Sequence, residues 1–126
     1  MKLHHYSRQP GLTTLDPAYH GTGVPDAASR RKVNDSDDWV NRTYYYIGDP
    51  EPIVRAQCAY HYIAEVDCHT LYDLDIDSTN MRDTPDVTRM EHRIYTSGYN
   101  GFIVSHGPYH FAAMFIPLSV TEVPSD

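Results

Sequence analysis

The chain has only two cysteines, Cys58 and Cys68, too few for the disulfide framework on which small secreted domains depend, and both are expected as free thiols. No stretch approaches the roughly 18 consecutive apolar residues of a membrane span, and the opening Met1 to Ser7 lacks the apolar run of a signal peptide. No membrane partner is expected, and the expected location is cytoplasmic. Basic residues are also scarce, 10 against 17 acidic ones, and the formal charge of −7 would repel a polyphosphate backbone. Nucleic acid is therefore an unfavourable primary partner, although Arg30, Arg31 and Lys32 form one local basic cluster. Repeats and low-complexity tracts are missing too, which excludes solenoids and linkers.

What remains is a globular balance in 126 residues: 40% hydrophobic and 21% charged, enough for one core and one domain spanning residues 1–126. Lys2 to Tyr6 reads as a strand ended by the Pro10-Gly11 turn. Gly11 to Asp38 is rich in Gly, Pro, Asp, Ser and Thr and reads as a long loop, of the kind that in a compact domain carries function or lacks order. Trp39 to Gly48, with its β-branched and aromatic run Thr43 to Ile47, predicts a strand. Glu51 to Tyr60 opens with prolines at a helix start. Tyr60 to Leu74 alternates as a long strand, or a strand with a bulge, and Asp73 to Asp86 is an acidic turn region. Val87 to Tyr95 spaces Val87, Met90 and Ile94 for a helix with those three inward, and Gly101–Val104 and Phe111–Ile116 form a hairpin. Helices isolated among hairpin-connected strands give an α+β fold.

Eight histidines, at positions 4, 5, 20, 61, 69, 92, 106 and 110, lack the paired spacing of a metal site, so no metal is expected. Gly21-Thr22-Gly23 is too short for a dinucleotide fingerprint, but its glycines permit close approach of backbone N–H groups to a phosphate or carboxamide.

The order of motifs resembles ADP-ribosyltransferases of the histidine-tyrosine-glutamate class. Leu3-His4-His5-Tyr6-Ser7 is similar to the family's first strand, whose histidine and following hydroxyl residue hold the nicotinamide side of the cofactor. Leu15-Asp16-Pro17 and Gly21-Thr22-Gly23 resemble the segment that follows in transferase-like domains of phage polyvalent proteins. Thr43-Tyr44-Tyr45-Tyr46 resembles the second motif, with its nicotinamide-stacking tyrosine. Ser97 to Val104 and Met114 to Val120 resemble the closing strands. Tyr19-His20-Gly21-Thr22 is a rival for the first motif, but lacks the apolar residues of a strand.

The resemblance implies a compact fold of two small, mostly antiparallel sheets with a few short helices, and NAD as cofactor. It places His5, Tyr45 and His110 at the reaction centre, with His5, Tyr6, Ser7, Gly21, Thr22, Gly23, Tyr44, Tyr45 and Tyr46 holding the cofactor. It also implies transfer of ADP-ribose to an unidentified acceptor, or hydrolysis of NAD, with a host protein as target if the chain is phage-encoded. The chain departs from the family at its acid: His110 or Phe111 stands where a glutamate is expected, and Glu65 and Glu122 are the nearest substitutes along the chain. Fixed negative charge there acts by electrostatic stabilisation, so its loss motivates an alternative: an inactive descendant serving as an interaction module or as an inhibitor of a host defence protein, for which eleven tyrosines are apt. A metal-dependent enzyme built from the histidines is the third option.

Overall fold

A computed structural model of the chain describes residues 1–19 and 40–124. The first strand, β1 (Lys2–Ser7), buries Leu3 completely and becomes a central strand, pairing antiparallel with β3 (Thr43–Tyr46) on one side and β4 (Tyr60–Glu65) on the other. β2 (Thr14–Leu15) stands apart and pairs with β8 (Leu118–Ser119) in a two-stranded sheet. β5 (Leu71–Asp73), the hairpin of β6 (Gly101–His106) and β7 (Tyr109–Met114), and β9 (Thr121–Val123) complete a seven-stranded sheet in the order β5-β6-β7-β3-β1-β4-β9. Among the described residues only β5 and β6 run parallel. The described residues thus form an α+β fold with two mostly antiparallel sheets, of seven and two strands.

Strand alternation gives the large sheet two separate cores. On one face Leu3, Tyr45, Tyr62, Ala64 and Met114 pack together beneath Leu12, Leu15 and Leu118 of the small sheet's neighbourhood. On the other, Tyr72, Phe102, Ala113 and Phe115 pack against Met90 and Ile94 of the helix α2 (Val87–Thr96). Asp86 caps α2 by accepting from the Arg89 N–H at 2.9 Å, and Gly98, at φ 96°, turns the chain away after its last turn. Gly101 is required by close approach: a Cβ there would run into the Ala113 carbonyl of the neighbouring strand.

Three expectations are corrected. The helix predicted over Glu51 to Tyr60 is shorter, α1 (Pro52–Gln57), because Tyr60 is already paired with Ser7. The strand predicted over Tyr60 to Leu74 breaks after Glu65: Asp67 accepts from the His69 N–H at 3.0 Å and starts a 3-10 turn, Cys68–Thr70, from which the chain enters β5 at the opposite edge region of the sheet. Val87, expected inward, is 61% exposed, while Glu91 takes a buried place between Met90 and Ile94. Among the described residues no helix is long and apolar enough to cross a membrane.

Candidate functional site

Alternation also divides the residues singled out in the sequence. Register puts His5, Ser7 and Tyr45 on the face of the small sheet, and Tyr6, Tyr44 and Tyr46 on the face of α2. His5 and Tyr45 are brought together, with ring centroids 5.6 Å apart, and His5 Nδ1 lies 3.1 Å from the Tyr44 carbonyl. Since a carbonyl only accepts, that nitrogen carries the proton and Nε2 keeps its lone pair; burial lowers the His5 pKa. Tyr45, however, is a core residue, 1% exposed, with no hydrogen-bond partner for its hydroxyl, whose pKa burial pushes up. A ring enclosed in this way has no free face on which a ligand could stack, which corrects the role expected of Tyr45. His20, Gly21, Thr22, Gly23 and the Arg30–Lys32 cluster lie outside the described residues.

The face of α2 carries a row of rings. His106 and Phe111 are 5.9 Å apart, Phe111 and Tyr46 4.8 Å, Tyr46 and Tyr6 6.1 Å, and Tyr6 stacks on His61 at 4.4 Å. At its far end His4 Nδ1 and His61 Nε2 are 2.8 Å apart; burial lowers the pKa of both rings, favouring a neutral pair in which one donates to the other. Toward α2 the row opens into a cavity of about 600 Å³, within the usual range for small-molecule sites. Tyr44, Phe102, Val104, Phe111 and Met90 supply its apolar and aromatic lining, and Glu91, Arg82, Ser105 and His106 its polar groups.

Glu91 is the unusual member. The residue is 3% exposed, and burial raises its pKa to about 7 against the opposing pull of Arg42. Arg42 Nε lies 2.9 Å from Glu91 Oε2, yet the same N–H is aimed at the Tyr44 hydroxyl, 2.8 Å away, so Oε2 is paired in charge but receives no aligned hydrogen bond. A buried carboxyl poised near neutrality at a cavity wall can act as an acid, a base or a fixed charge.

His110, on β7, carries a second polar arrangement. The Ser105 hydroxyl donates to Asp75 Oδ2 at 2.6 Å, the Ser105 N–H donates to Asp75 Oδ1 at 3.0 Å, and His110 Nδ1 lies 2.6 Å from the same hydroxyl oxygen. The alternative acids named in the sequence lie elsewhere. Glu65 is exposed and paired in register with Lys2. Glu122 accepts from the Tyr62 hydroxyl at 3.2 Å and from the Gly11 N–H at 3.4 Å, with Tyr62 standing between it and His5. Asp67, Cys68 and His69 place ligand atoms within 4.8 Å of one another, but they are three exposed consecutive residues of one turn, with Asp67 engaged as its cap.

Glu91, Arg42, Ser105 and Asp75 were not foreseen. The missed signal for Glu91 is a carboxylate inside the apolar stripe 87, 90, 91, 94, whose spacing is that of a buried helix face. Compared with known proteins, the chain matches no protein family, no curated protein and no solved structure.

Proposed function

We propose that the chain is an ADP-ribosyltransferase-like enzyme that binds a nicotinamide dinucleotide along the α2 face, with one ring of the ligand received in the cavity beside Tyr44 and Phe111. The observation that carries this reading is Glu91. The motif comparison leaves Phe111 or His110 where an acid is expected, and α2 brings the buried carboxyl of Glu91 into the same cavity as Phe111. Of the segments bearing the motifs, Leu3–Ser7 and Thr43–Tyr46 lie in the neighbouring strands β1 and β3, and Gly101–Val104 lies in β6, one strand further along the same sheet beyond β7, whereas Met114–Val120 leads from the end of β7 into β8 of the small sheet.

The residues present suit such a ligand. Phe111, Tyr44 and Tyr46 offer ring faces, and Arg82 brings cationic charge for phosphate. NAD supplies a bond from its ribose to a positively charged ring, and Glu91 when ionised would stabilise the positive charge that grows at that ribose carbon. With a pKa of about 7, Glu91 would make the rate rise as pH climbs through neutrality. His5, on the opposite face, is left a structural role through its bond to the Tyr44 carbonyl.

The test is nicotinamide release from NAD together with calorimetric NAD binding. The expected result is binding that weakens about 10- to 100-fold in Phe111→Ala, as one lost ring stack would give. In Glu91→Gln the release should fall about 10²–10³-fold with binding retained. No binding at millimolar NAD would refute the reading. It would also favour the second one, a protein-interaction module, which is suggested by the exposed Tyr44, Val87 and Tyr95 around α2.

A further inference from the structure

From the approach of two rings we infer that His4 and His61 form a binding site for one divalent transition-metal ion, of the copper(II) or nickel(II) type. The two stand at the end of the ring row remote from the Glu91 cavity. Register carries them there. β1 and β4 pair antiparallel with Tyr6 opposite His61 and His4 opposite Ile63, so His4 and His61 are diagonal neighbours on one face of the sheet. Each ring presents a nitrogen to the other, His4 Nδ1 and His61 Nε2 at 2.8 Å, with the planes tilted by 32°. In the neutral pair one hydrogen occupies that gap, and a metal ion that displaces it has a nitrogen donor on either side.

The separation selects the ion. Two nitrogens about 2.0 Å from one centre lie about 2.8 Å apart at a right angle and about 3.3 Å apart at the tetrahedral angle. The observed 2.8 Å matches adjacent corners of a square-planar or octahedral ion and is too close for tetrahedral zinc. Charge narrows the choice further. Lys2 acts on His4 and Arg55 on His61 with positive charge, against the negative charge of Asp49 on His4. Such surroundings do not favour a hard ion held by oxygen and charge, such as Mg2+ or Ca2+, and leave one held by nitrogen donation. Among the described residues no third histidine, cysteine or carboxylate is grouped with the pair, so the other positions of the ion are open to water or to an incoming ligand.

The donors are held in place before an ion arrives. The Tyr6 ring lies flat against His61, with centroids 4.4 Å apart and planes within 10°, and Tyr46 meets Tyr6 edge-on at 6.1 Å. Both strands are internal to the sheet, β1 between β3 and β4 and β4 between β1 and β9, which fixes the spacing of the two backbones. His4 and His61 are half-buried, so solvent reaches the pair. A separation of 57 residues in the chain hides it from motif spacing.

The experiment uses Ni2+ as the probe on the full chain, because copper(II) would be consumed by the free thiols of Cys58 and Cys68. Calorimetry at pH 8 is expected to show one Ni2+ bound per chain. Binding should be retained in His69→Ala, which alters the exposed Asp67-Cys68-His69 turn, and lost in His4→Gln and in His61→Gln. NMR of the wild-type chain needs no variant: Ni2+ should shift or broaden the ring signals of His4 and His61 ahead of those of the other histidines. In thermal unfolding, Ni2+ at a hundredfold excess over its Kd should raise Tm by about 5–10 °C in wild type and His69→Ala and leave His4→Gln unmoved. Absence of Ni2+ binding, unchanged binding in both His4→Gln and His61→Gln, or a first effect on other histidines would overturn the inference and leave the two rings as a hydrogen-bonded pair.

Discussion

Replacing Glu91 by glutamine should change the slope of stability against pH, by an amount that follows from burial. The Glu91 carboxyl has a pKa of 4.5 when free and about 7 in the fold. A carboxyl raised in this way is harmless below pH 4.5, where both folded and unfolded chains hold its proton. As pH rises, the unfolded chain ionises first, and stability is lost until the folded pKa is passed. The gap corresponds to a loss on the order of 3 kcal/mol between about pH 4.5 and pH 8. The histidines act in the opposite sense: His4, His5 and His61 have lowered pKa values, so their contribution falls away on acidification below about 6.5. They are common to both chains and cancel in the comparison. Urea unfolding of wild type and Glu91→Gln at half-unit intervals from pH 5 to 8 isolates the difference. The difference between the two curves should grow with pH by about 3 kcal/mol. Parallel curves would refute the argument, showing that Glu91 is hydrated in solution or held ionised by Arg42.

Tyr45→Phe removes a buried hydroxyl that has no partner and should stabilise the fold by about 1 kcal/mol, read as a higher urea midpoint. It should leave nicotinamide release unchanged. Gly101→Ala forces a methyl group into the Ala113 carbonyl and should cost about 3 kcal/mol or more, measured as a fall in Tm. His5→Gln should flatten the acid side of the stability profile, since the lowered pKa of His5 makes its contribution present above about pH 6.5 and lost as pH falls through the folded value; equal stability changes from pH 7 to pH 5 in both chains would count against this.

The sequence was most informative where one face of an element decides its form. The Thr43–Tyr46 strand, the β6–β7 hairpin and α2 follow from period-2 alternation or period-3.6 spacing, and those signals are local. It was least informative where a distant partner overrides the local pattern. Tyr60 leaves the predicted helix because β1 needs it, and the alternation from Tyr60 to Cys68 continues past the point where the Asp67 cap turns the chain. The same limit applies to the site. Motif spacing could bring His5, Tyr45 and Tyr46 onto neighbouring strands, but not decide which tyrosine faces the core; the burial of Tyr45 is set by the small sheet that covers it. Glu91 escaped notice because its meaning depends on a cavity formed with β3, β6 and β7.

The strand order also bears on how the chain assembles. β4 and β5 are separated by only one short turn in sequence, yet four strands lie between them in the sheet. The first three strands of that sheet, β3-β1-β4, can pair among themselves as soon as residues 1–65 have been made, but β3 then offers an open edge until the β6–β7 hairpin docks on it. β9 closes the other edge, joining β4 with the last described residues of the chain. During synthesis the N-terminal unit must therefore wait with both edges unpaired for partners not yet made. That makes β3 and β4 the segments most exposed to edge-to-edge association in nascent or truncated chains.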